Sequence, residues 1–305
     1  MKIYLTGSNG MVGKNILESK LSEDNEIFFP PRSAVNLLNY AEVLKSIHYF
    51  SPDLVIHCAG VVGGIQANIK EPVRFFLDNL EMGKNVVNAS REASVKKLIN
   101  LSSSCMYPKN KDTALVEDDI LKGPLEPTNE GYALAKIAVM KLCQYISNQF
   151  PDFQYKTIIP CNLFGRWDKF DLSHGHMVPA VIRKIHEAVQ AQSPTVEIWG
   201  DGLARREFMY AADLADFIKF SVKNFERIPP LINVGLGHDY SILDYYKEIS
   251  KVVGFKGVFK YDLNKPVGMK RKLVDVSRAA QLGWKANTSL NQGLIDTFQF
   301  YLNQD

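Results

Sequence analysis

The fold is decided near the start of the chain, where residues 2–13 read KIYLTGSNGMVG. The apolar run over residues 3–6 predicts a β-strand, and glycines at 7, 10 and 13 predict a tight turn after it. Apolar residues then resume at helical spacing, so a helix is expected over about 12–21. This strand, glycine turn and helix together predict a site where backbone N–H groups and a helix N-terminus bind a pyrophosphate.

Short apolar runs alternate with longer helical patterns along the rest of the chain. Strands are expected at 26–29, 54–58, 98–101, 157–161, 196–200, 207–210 and 231–234. Helices are expected at 40–50, 72–93, 132–149 and 177–191. Several runs are apolar on both faces, which is typical of buried parallel strands. The alternation therefore predicts an α/β fold with a Rossmann-type, doubly wound parallel sheet.

The pattern changes after residue 165, where a polar and irregular segment precedes a helix and two short strands. The run at 231–234 again resembles a strand of the main sheet. We therefore expect a dinucleotide-binding domain made of residues 1–165 and 208–236. A smaller α/β substrate-binding domain would comprise residues 166–207 and 237–305.

The helix expected at 132–149 carries an apolar stripe with i, i+3, i+4 spacing. That spacing predicts the face that the helix buries against a sheet. The members of the stripe are Leu134, Ile137, Ala138, Leu142 and Tyr145.

Composition excludes several classes of protein. The 305 residues include 36 Lys plus Arg and 33 Asp plus Glu, a net charge of +3 that is too balanced for a nucleic-acid or anionic-membrane partner. No run of about 18 apolar residues occurs, so no membrane span is expected. Cysteines at 58, 105, 143 and 161 form no CxxC pair. We expect reduced thiols in a cytoplasmic protein.

The expected second strand indicates which dinucleotide the turn binds. It ends in Pro30-Pro31-Arg32-Ser33, without the carboxylate that usually binds the ribose 2′-OH of NAD. Arg32 can pair with a 2′-phosphate, with Lys14 as a second cation, so the sequence favours NADP(H) over NAD. The turn residues expected to contact the cofactor are Gly7, Asn9, Gly10, Met11, Val12 and Gly13.

Tyr132 and Lys136 form a YxxxK pair on one helix face, and serines 102–104 follow the strand at 98–101. Ligands of open α/β sheets bind at the carboxyl ends of strands. A ketone that accepts a hydride develops negative charge on oxygen, which Tyr132 can protonate and Ser103 can hold. Lys136 supplies the nearby charge that a tyrosine needs and can bind the nicotinamide ribose. The alternative is an ordinary amphipathic helix beside a serine turn.

The glycine turn, strand-end serines and YxxxK, in that order, resemble the extended short-chain dehydrogenase/reductase superfamily. Further segments resemble the GDP-L-fucose synthase family, and the resemblance covers essentially the whole chain. These segments are Val62–Asn68, Ser103–Lys109, Glu126–Ala133, Asn162–Gly165, His176–Ala180, Trp199–Gly202, Arg206–Phe208 and Arg271–Lys272. The resemblance implies that Asn162 and Leu163 contact the cofactor.

The family epimerises GDP-4-keto-6-deoxymannose at carbons 3 and 5 and then reduces carbon 4 with NADPH. The resemblance makes Cys105 the base and His176 the acid of epimerisation, while Ser103 and Tyr132 would hold the enolate. Unperturbed thiol and imidazole pKa values of about 8.5 and 6.5 suit such proton transfer. His174 is a competing acid; a metal site at His174 and His176 would lack nearby partners, so no metal is expected.

The resemblance also implies cations for the diphosphate of a GDP-linked 4-keto sugar and an aromatic surface for its base. The matching cations are Lys184, Arg206 and Lys272, and the matching aromatic residue is Trp199. A homodimer is expected because the superfamily commonly pairs subunits through a four-helix bundle.

Three positions depart from the family pattern. Asn9 stands where an Arg is usual, Lys184 replaces an Arg, and Val267 replaces an Asp in the segment at 265–268. These departures leave the substrate open to a 4-keto-3,6-dideoxy sugar or a 4-keto heptose. They also leave open a reductase without 3,5-epimerase activity and, more remotely, a non-catalytic dinucleotide-binding regulator.

Overall fold

The computed structural model describes residues 1–109, 111–172, 175–265 and 267–304. The strands are β1 (Lys2–Thr6), β2 (Glu26–Phe28), β3 (Leu54–His57), β4 (Lys97–Leu101), β5 (Gln154–Pro160), β6 (Asn162–Phe164), β7 (Thr195–Trp199), β8 (Arg205–Arg206), β9 (Phe208–Tyr210), β10 (Leu231–Val234), β11 (Tyr240–Ser241), β12 (Val258–Asp262) and β13 (Arg271–Lys272). The helices are α1 (Met11–Glu18), α2 (Tyr40–Phe50), α3 (Ile65–Lys70), α4 (Pro72–Glu92), α5 (Glu130–Gln149), α6 (Met177–Gln190), α7 (Ala211–Lys223), α8 (Ile242–Val253), α9 (Ser277–Gln281) and α10 (Leu290–Leu302).

The central sheet has the strand order β10-β5-β4-β3-β1-β2, and all of its pairs are parallel. The chain runs outward from β1 to β2 and then returns to place β3 on the other side of β1. The crevice between β1 and β3 is therefore the topological switch point, where open α/β sheets bind ligands. The prediction of a Rossmann-type doubly wound sheet is confirmed.

Alternate residues of each central strand enter the cores on opposite faces of the sheet. Ile3 and Leu5 pack in the core beneath α1 and α7, whereas Tyr4 packs in the core beneath α2, α4 and α5. Burial on both faces explains why these strands read as continuous apolar runs. It also fixes the direction of each strand's carboxyl end and thus the location of the cleft.

A separate core lies among α6, α8, α10 and the parallel pair β7–β12. The short strands β8, β11 and β13 form a small mixed sheet beside it. Glu207, only 1% exposed, accepts hydrogen bonds from the backbone N–H groups of Leu236 and Gly237 at 2.5 and 2.9 Å and of Val274 at 3.0 Å. This carboxylate ties the loop after β10 to the segment that follows β13.

Most predicted elements occur within a few residues of their expected bounds. The run at 207–210 is shorter in the structure, where Arg205–Arg206 and Phe208–Tyr210 belong to two different sheets. The two-domain division of the chain stays a prediction. No helix in the described ranges is long and apolar enough to cross a membrane.

The predicted buried stripe of α5 is partly wrong. Leu134 and Tyr145 are 42% and 62% exposed, and Ala138 is also exposed. The helix instead buries a face that includes Ala133 and Met140, because α4 and the sheet cover it from that side. An apolar stripe thus lies on the outer surface of α5.

Candidate active site

The glycine turn allows a ligand to approach the backbone closely. Gly7 has φ +76°, and a Cβ there would lie 2.6 Å from the backbone N of Ala59 at the end of β3. A Cβ on Gly13 would lie 2.2 Å from the carbonyl oxygen of Gly7. Both positions therefore exclude a side chain, and the turn brings the N-terminus of α1 directly to the switch point. The cradle fits the pyrophosphate of a dinucleotide.

A cleft of about 800 Å³ extends from this turn into the second region. The residues that line it include those expected for the glycine turn, for catalysis and for the substrate, so the structure brings together positions spread over most of the chain. The lining includes Gly7, Asn9, Gly10, Met11, Val12, Gly13, Arg32, Ser103, Cys105, Tyr132, Lys136, Asn162, Leu163, His176, Lys184, Trp199, Arg206 and Lys272.

Ser103, Tyr132 and Lys136 lie at the carboxyl end of β4. The Ser103 side chain caps the 3-10 turn Ser104–Met106 and hydrogen-bonds to Tyr132. Lys136 donates from Nζ to the carbonyl of Leu101 at 3.1 Å, and its Nζ lies 5.8 Å from the ring centroid of Tyr132. Phe75 packs edge-on against that ring, with centroids 6.4 Å apart. A hydroxyl, a phenol and an ammonium group are thus held in one place.

Burial shifts the pKa values of Tyr132 and Lys136. It raises the pKa of Tyr132, and the electrostatic interaction with Cys105 raises it further, while the hydrogen bond with Ser103 lowers it in part. Burial lowers the pKa of Lys136 to about 8, a change that Cys58 and Cys105 partly offset. Tyr132 is therefore a protonated donor at neutral pH, beside a lysine that is close to its titration range.

Two side-chain N–H donors, from Asn129 and Lys272, reach the sulfur of Cys105. Asn129 Nδ2 lies 3.2 Å from Sγ, and Lys272 Nζ lies 3.3 Å from it. Its own backbone N–H donates to Ser103 Oγ at 3.2 Å. Burial instead raises the pKa of Cys58 to about 12, so that thiol is neutral at physiological pH.

His176 is the N-cap residue of α6, with its ring in the cleft and 36% of the side chain exposed. Its Nδ1 lies 3.4 Å from Oδ1 of Asp168, whose side chain is only 4% exposed. Burial lowers the pKa of His176, but the hydrogen bond and charge of Asp168 outweigh it, and the net pKa is raised. The arrangement favours an imidazolium, a proton donor. The competing candidate His174 lies outside the described residues.

Two of the residues expected to hold a nucleotide diphosphate, Lys184 and Arg206, line the end of the cleft formed by α6, β7 and β8. Arg206 donates to the carbonyls of Arg205 and Val267, both at 2.8 Å, and burial lowers its pKa. Lys184 Nζ donates to the carbonyl of Glu197 at 2.8 Å. Trp199 ends β7 and donates from Nε1 to the Glu197 carboxylate at 3.1 Å. Cations and one aromatic surface therefore flank this end of the cleft.

At the other end, Arg32 and Asn9 are exposed at the rim. Lys14, considered as a second phosphate contact, places Nζ 3.7 Å from the ring centroid of Trp167 and is not among the lining residues. Of the two cations expected at a 2′-phosphate, Arg32 alone lines the cleft. Within the described ranges, no group of three or more His, Cys, Asp or Glu is placed to hold a metal ion.

Comparison with known proteins identifies the class. Residues 3–235 match the model of the NAD dependent epimerase/dehydratase family. The chain is 53% identical over 304 residues to GDP-L-colitose synthase of Yersinia pseudotuberculosis, covering 100% of this chain and 99% of the relative. It is 48% identical over 301 residues to GDP-L-fucose synthase of Azorhizobium caulinodans, covering 99% and 96%. A solved structure of MlghC, a GDP-mannoheptose C4 reductase from Campylobacter jejuni with NADP bound, superposes with a TM-score of 0.89 at 28% identity, covering 99% and 98%.

The chain therefore belongs to the NAD dependent epimerase/dehydratase family and, within it, to the GDP-L-fucose synthase group of GDP-sugar synthases and reductases. It is an oxidoreductase, and the predicted resemblance is confirmed. The expectation of NADP(H) as cofactor is supported by the relative with NADP bound.

Sequence reasoning missed two side chains that contact the candidate acid and base. Asn129 lies in the segment Glu126–Ala133 that carries the family resemblance, and its position just before α5 was the available signal. Asp168 had no signal beyond a carboxylate eight residues before His176. Both act through contacts that only the folded chain reveals.

Proposed function

We propose that the protein is an NADPH-dependent epimerase/reductase that converts a GDP-4-keto-6-deoxymannose-type sugar to GDP-L-fucose or a close relative. One observation carries the proposal: a reductase group and a separate acid–base pair line the same cleft. The first comprises Ser103, Tyr132 and Lys136, and the second comprises Cys105 and His176. Relatives named GDP-L-colitose and GDP-L-fucose synthase support the substrate class.

In reduction, the protein binds the substrate ketone between Ser103 and Tyr132. NADPH, when bound, supplies the hydride for carbon 4. Tyr132 gives its proton to the oxygen that becomes negative, and Ser103 donates a hydrogen bond to the same oxygen. Lys136 stabilises the resulting tyrosinate because its ammonium group lies beside the ring.

In epimerisation, the carbons beside the ketone are acidic because the same oxygen stabilises an enolate. Cys105 removes a proton from such a carbon, and His176 returns one. Asp168 orients the imidazole and favours its protonated form. General acid–base help of this kind contributes about 10²–10⁴ in rate.

Binding would divide the cleft between cofactor and nucleotide sugar. Arg32 would pair with the 2′-phosphate, and Asn162 and Leu163, which line the cleft, would lie along the nicotinamide half. Lys184 and Arg206 face the substrate diphosphate, and Trp199 faces its base. Val267, 41% exposed in this wall, brings no carboxylate to the nucleotide sugar.

A second candidate is a 4-keto nucleotide-sugar reductase without 3,5-epimerase activity. The likeness to a GDP-mannoheptose C4 reductase over nearly the whole chain favours it. In such an enzyme Cys105 and His176 would only shape the pocket. The Cys105 contacts with Asn129 and Lys272 favour the bifunctional alternative, because N–H donors at the sulfur stabilise the thiolate that proton abstraction needs.

The test is NADPH oxidation with GDP-4-keto-6-deoxymannose and, separately, with its 3-deoxy analogue. Ser103→Ala and Tyr132→Phe should each lose about 10²–10⁴ of the rate. Cys105→Ser should melt like the wild-type protein but yield no epimerised sugar. Full turnover by Cys105→Ser to the epimerised product would refute the assignment of the base, and no oxidation with either substrate would refute the substrate class.

We also propose a homodimer in the cytoplasm. Exposed apolar side chains on α4 (Val73, Leu77) and α5 (Leu134, Tyr145) support pairing through these helices. Four free cysteines support a reducing compartment. Sedimentation equilibrium tests the pairing: Leu77→Glu should shift a dimer toward monomer, and a wild-type monomer would refute it.

A further inference from the structure

The contact between Lys272 and Cys105 joins two distant parts of the chain, 167 residues apart. Lys272 is 8% exposed, so its ammonium group is largely withdrawn from water. A buried ammonium is costly unless it is paired. Its Nζ lies 3.3 Å from Sγ of Cys105, which makes the sulfur its partner in the cleft.

Strand pairing explains why the Lys272 side chain points toward Cys105. In β13, Arg271 and Lys272 are consecutive, so their side chains leave opposite faces of the strand. Arg271 Nε binds the Asp239 carboxylate at 2.5 Å. Lys272, which pairs with Arg206 of β8, is thereby directed into the cleft. The lysine is thus held by a fixed strand rather than by a mobile loop.

A second donor reaches the same sulfur from another element. Asn129 ends the 3-10 turn Pro127–Asn129 and places Nδ2 3.2 Å from Sγ. Its Oδ1 is buried without a hydrogen-bond partner. The amide is therefore oriented with its donor toward the sulfur. A neutral thiol is a weak acceptor, whereas a thiolate accepts N–H donors well.

Other charged and titratable groups also act on Cys105. Arg206 of β8 and Lys136 of α5 interact with it electrostatically, as does the phenol of Tyr132. Glu126 acts on Arg206 from the loop before α5. Of these three cations, Lys272 is the one in hydrogen-bond contact with the sulfur.

We propose that Lys272 is a positioning residue that, with Asn129, holds Cys105 as a thiolate ready to remove a proton from the substrate. This rests on the proposed epimerase function and replaces the diphosphate contact expected for Lys272. In the step, a C–H bond beside the ketone breaks and an S–H bond forms. The C–H electron pair becomes the enolate, whose oxygen accepts hydrogen bonds from Ser103 and Tyr132. Lys272 keeps its proton throughout.

The experiment measures thiol alkylation in the full-length protein without substrate. Iodoacetamide reacts with thiolates, and mass spectrometry reads modification at Cys105 from pH 5.5 to 9.5. Lys272→Met should slow alkylation at pH 7 by about tenfold or more and move the profile to higher pH, since an adjacent cation favours the charged sulfur. Lys272→Arg should restore most of the rate.

A matched control is Lys270→Met, which removes an exposed charge two residues away and should alkylate like the wild-type protein. Asn129→Ala is the second variant if Lys272→Met fails to fold, and it should slow alkylation severalfold. Superimposable profiles for wild type and either folded variant would overturn the proposal. An unchanged alkylation profile for Lys272→Met, together with a raised KM for the nucleotide sugar, would instead support the contact between Lys272 and the diphosphate.

Alkylation separates this proposal from the proposed function because it needs no turnover. In one outcome, Lys272→Met changes the alkylation profile while the wild-type enzyme exchanges no substrate proton with solvent. That result would support the pairing of Lys272 with a Cys105 thiolate and refute the proposed epimerase activity. If the wild-type enzyme epimerises but its alkylation does not depend on Lys272, the positioning role fails alone.

Discussion

Asp239 fastens two strands that carry cleft residues, and replacing it by Asn should loosen both. Its side chain is 2% exposed, and its two oxygens accept from Arg205 Nε at 2.6 Å and Arg271 Nε at 2.5 Å. The first arginine precedes Arg206 and the second precedes Lys272. The Asp239→Asn change therefore removes the charge that both guanidinium groups share.

The expected cost follows from the exposure of the partners. Removing one member of a buried ion pair costs about 3–5 kcal/mol. The guanidinium groups are 45% and 38% exposed, so solvent screening reduces the cost to about 2 kcal/mol. With an unfolding entropy of about 2.1 cal/mol/K per residue, a chain of this length should melt about 3 °C lower.

The effect should depend on pH. Burial raises the pKa of Asp239, but Arg271 and Arg205 lower it by more, and the net pKa is lowered. A carboxyl with a lowered folded pKa contributes stability above its unfolded pKa and loses it as pH falls through the folded pKa. The difference between wild type and Asp239→Asn should therefore be full at pH 7 and vanish in acid.

Calorimetry and substrate titration check the prediction together. Glu248→Gln is the control, because its 2.6 Å pair with Lys251 is exposed and should contribute less than about 0.5 kcal/mol. Asp239→Asn should also raise KM, since Arg206 and Lys272 lose their fixed strands. A melting temperature within 1 °C of wild type at pH 7, with KM unchanged, would show that Asp239 does not fasten the two strands.

Three further variants test other parts of the site. Asp168→Asn should move the alkaline limb of the epimerisation rate to lower pH and slow solvent-proton exchange about tenfold at pH 7.5, because the carboxylate that raises the pKa of His176 is lost; an unmoved limb would contradict this. Asn9→Arg should add about 1 kcal/mol of preference for NADPH over NADH, seen as a roughly fivefold change in the ratio of their kcat/KM values; an equal gain for both cofactors would contradict a phosphate contact. Burial raises the folded pKa of Glu207 from 4.5 to about 7, while its backbone hydrogen bonds partly lower it, so the folded state binds more protons between these values. The free energy of unfolding should then fall by about 3 kcal/mol from pH 4.5 to 7 and level off above, and Glu207→Gln should abolish that slope in urea titrations; the same slope in the variant would assign it to other groups.

The sequence predicted the central sheet well because its evidence is local. Two-sided burial makes β1 and β3 apolar throughout, and Gly7 and Gly13 occur where a side chain would collide with backbone. Each signal spans fewer than ten residues. The residues predicted for the site also line one cleft, because strand ends converge at the switch point.

The partners of those residues could not be read from sequence. Asp239 joins arginines that lie 34 and 32 residues away, and Lys272 reaches a sulfur 167 residues away. Such pairs depend on how the small sheet of β8, β11 and β13 packs against the rest of the chain. No local sequence pattern predicts that packing. The predicted burial of the α5 stripe was partly wrong for a related reason, since apolar spacing does not tell which side of a helix a neighbouring element covers.

Reaction in heavy water distinguishes a bifunctional epimerase/reductase from a simple reductase. Purified protein, NADPH and GDP-4-keto-6-deoxymannose would be incubated in D2O, and the product analysed by mass and sugar stereochemistry. We expect deuterium at carbons 3 and 5 of a galacto-configured product, and none at those carbons with Cys105→Ser. A reduced product of unchanged configuration, without solvent deuterium, would contradict the proposed epimerase activity and identify a simple 4-keto-sugar reductase.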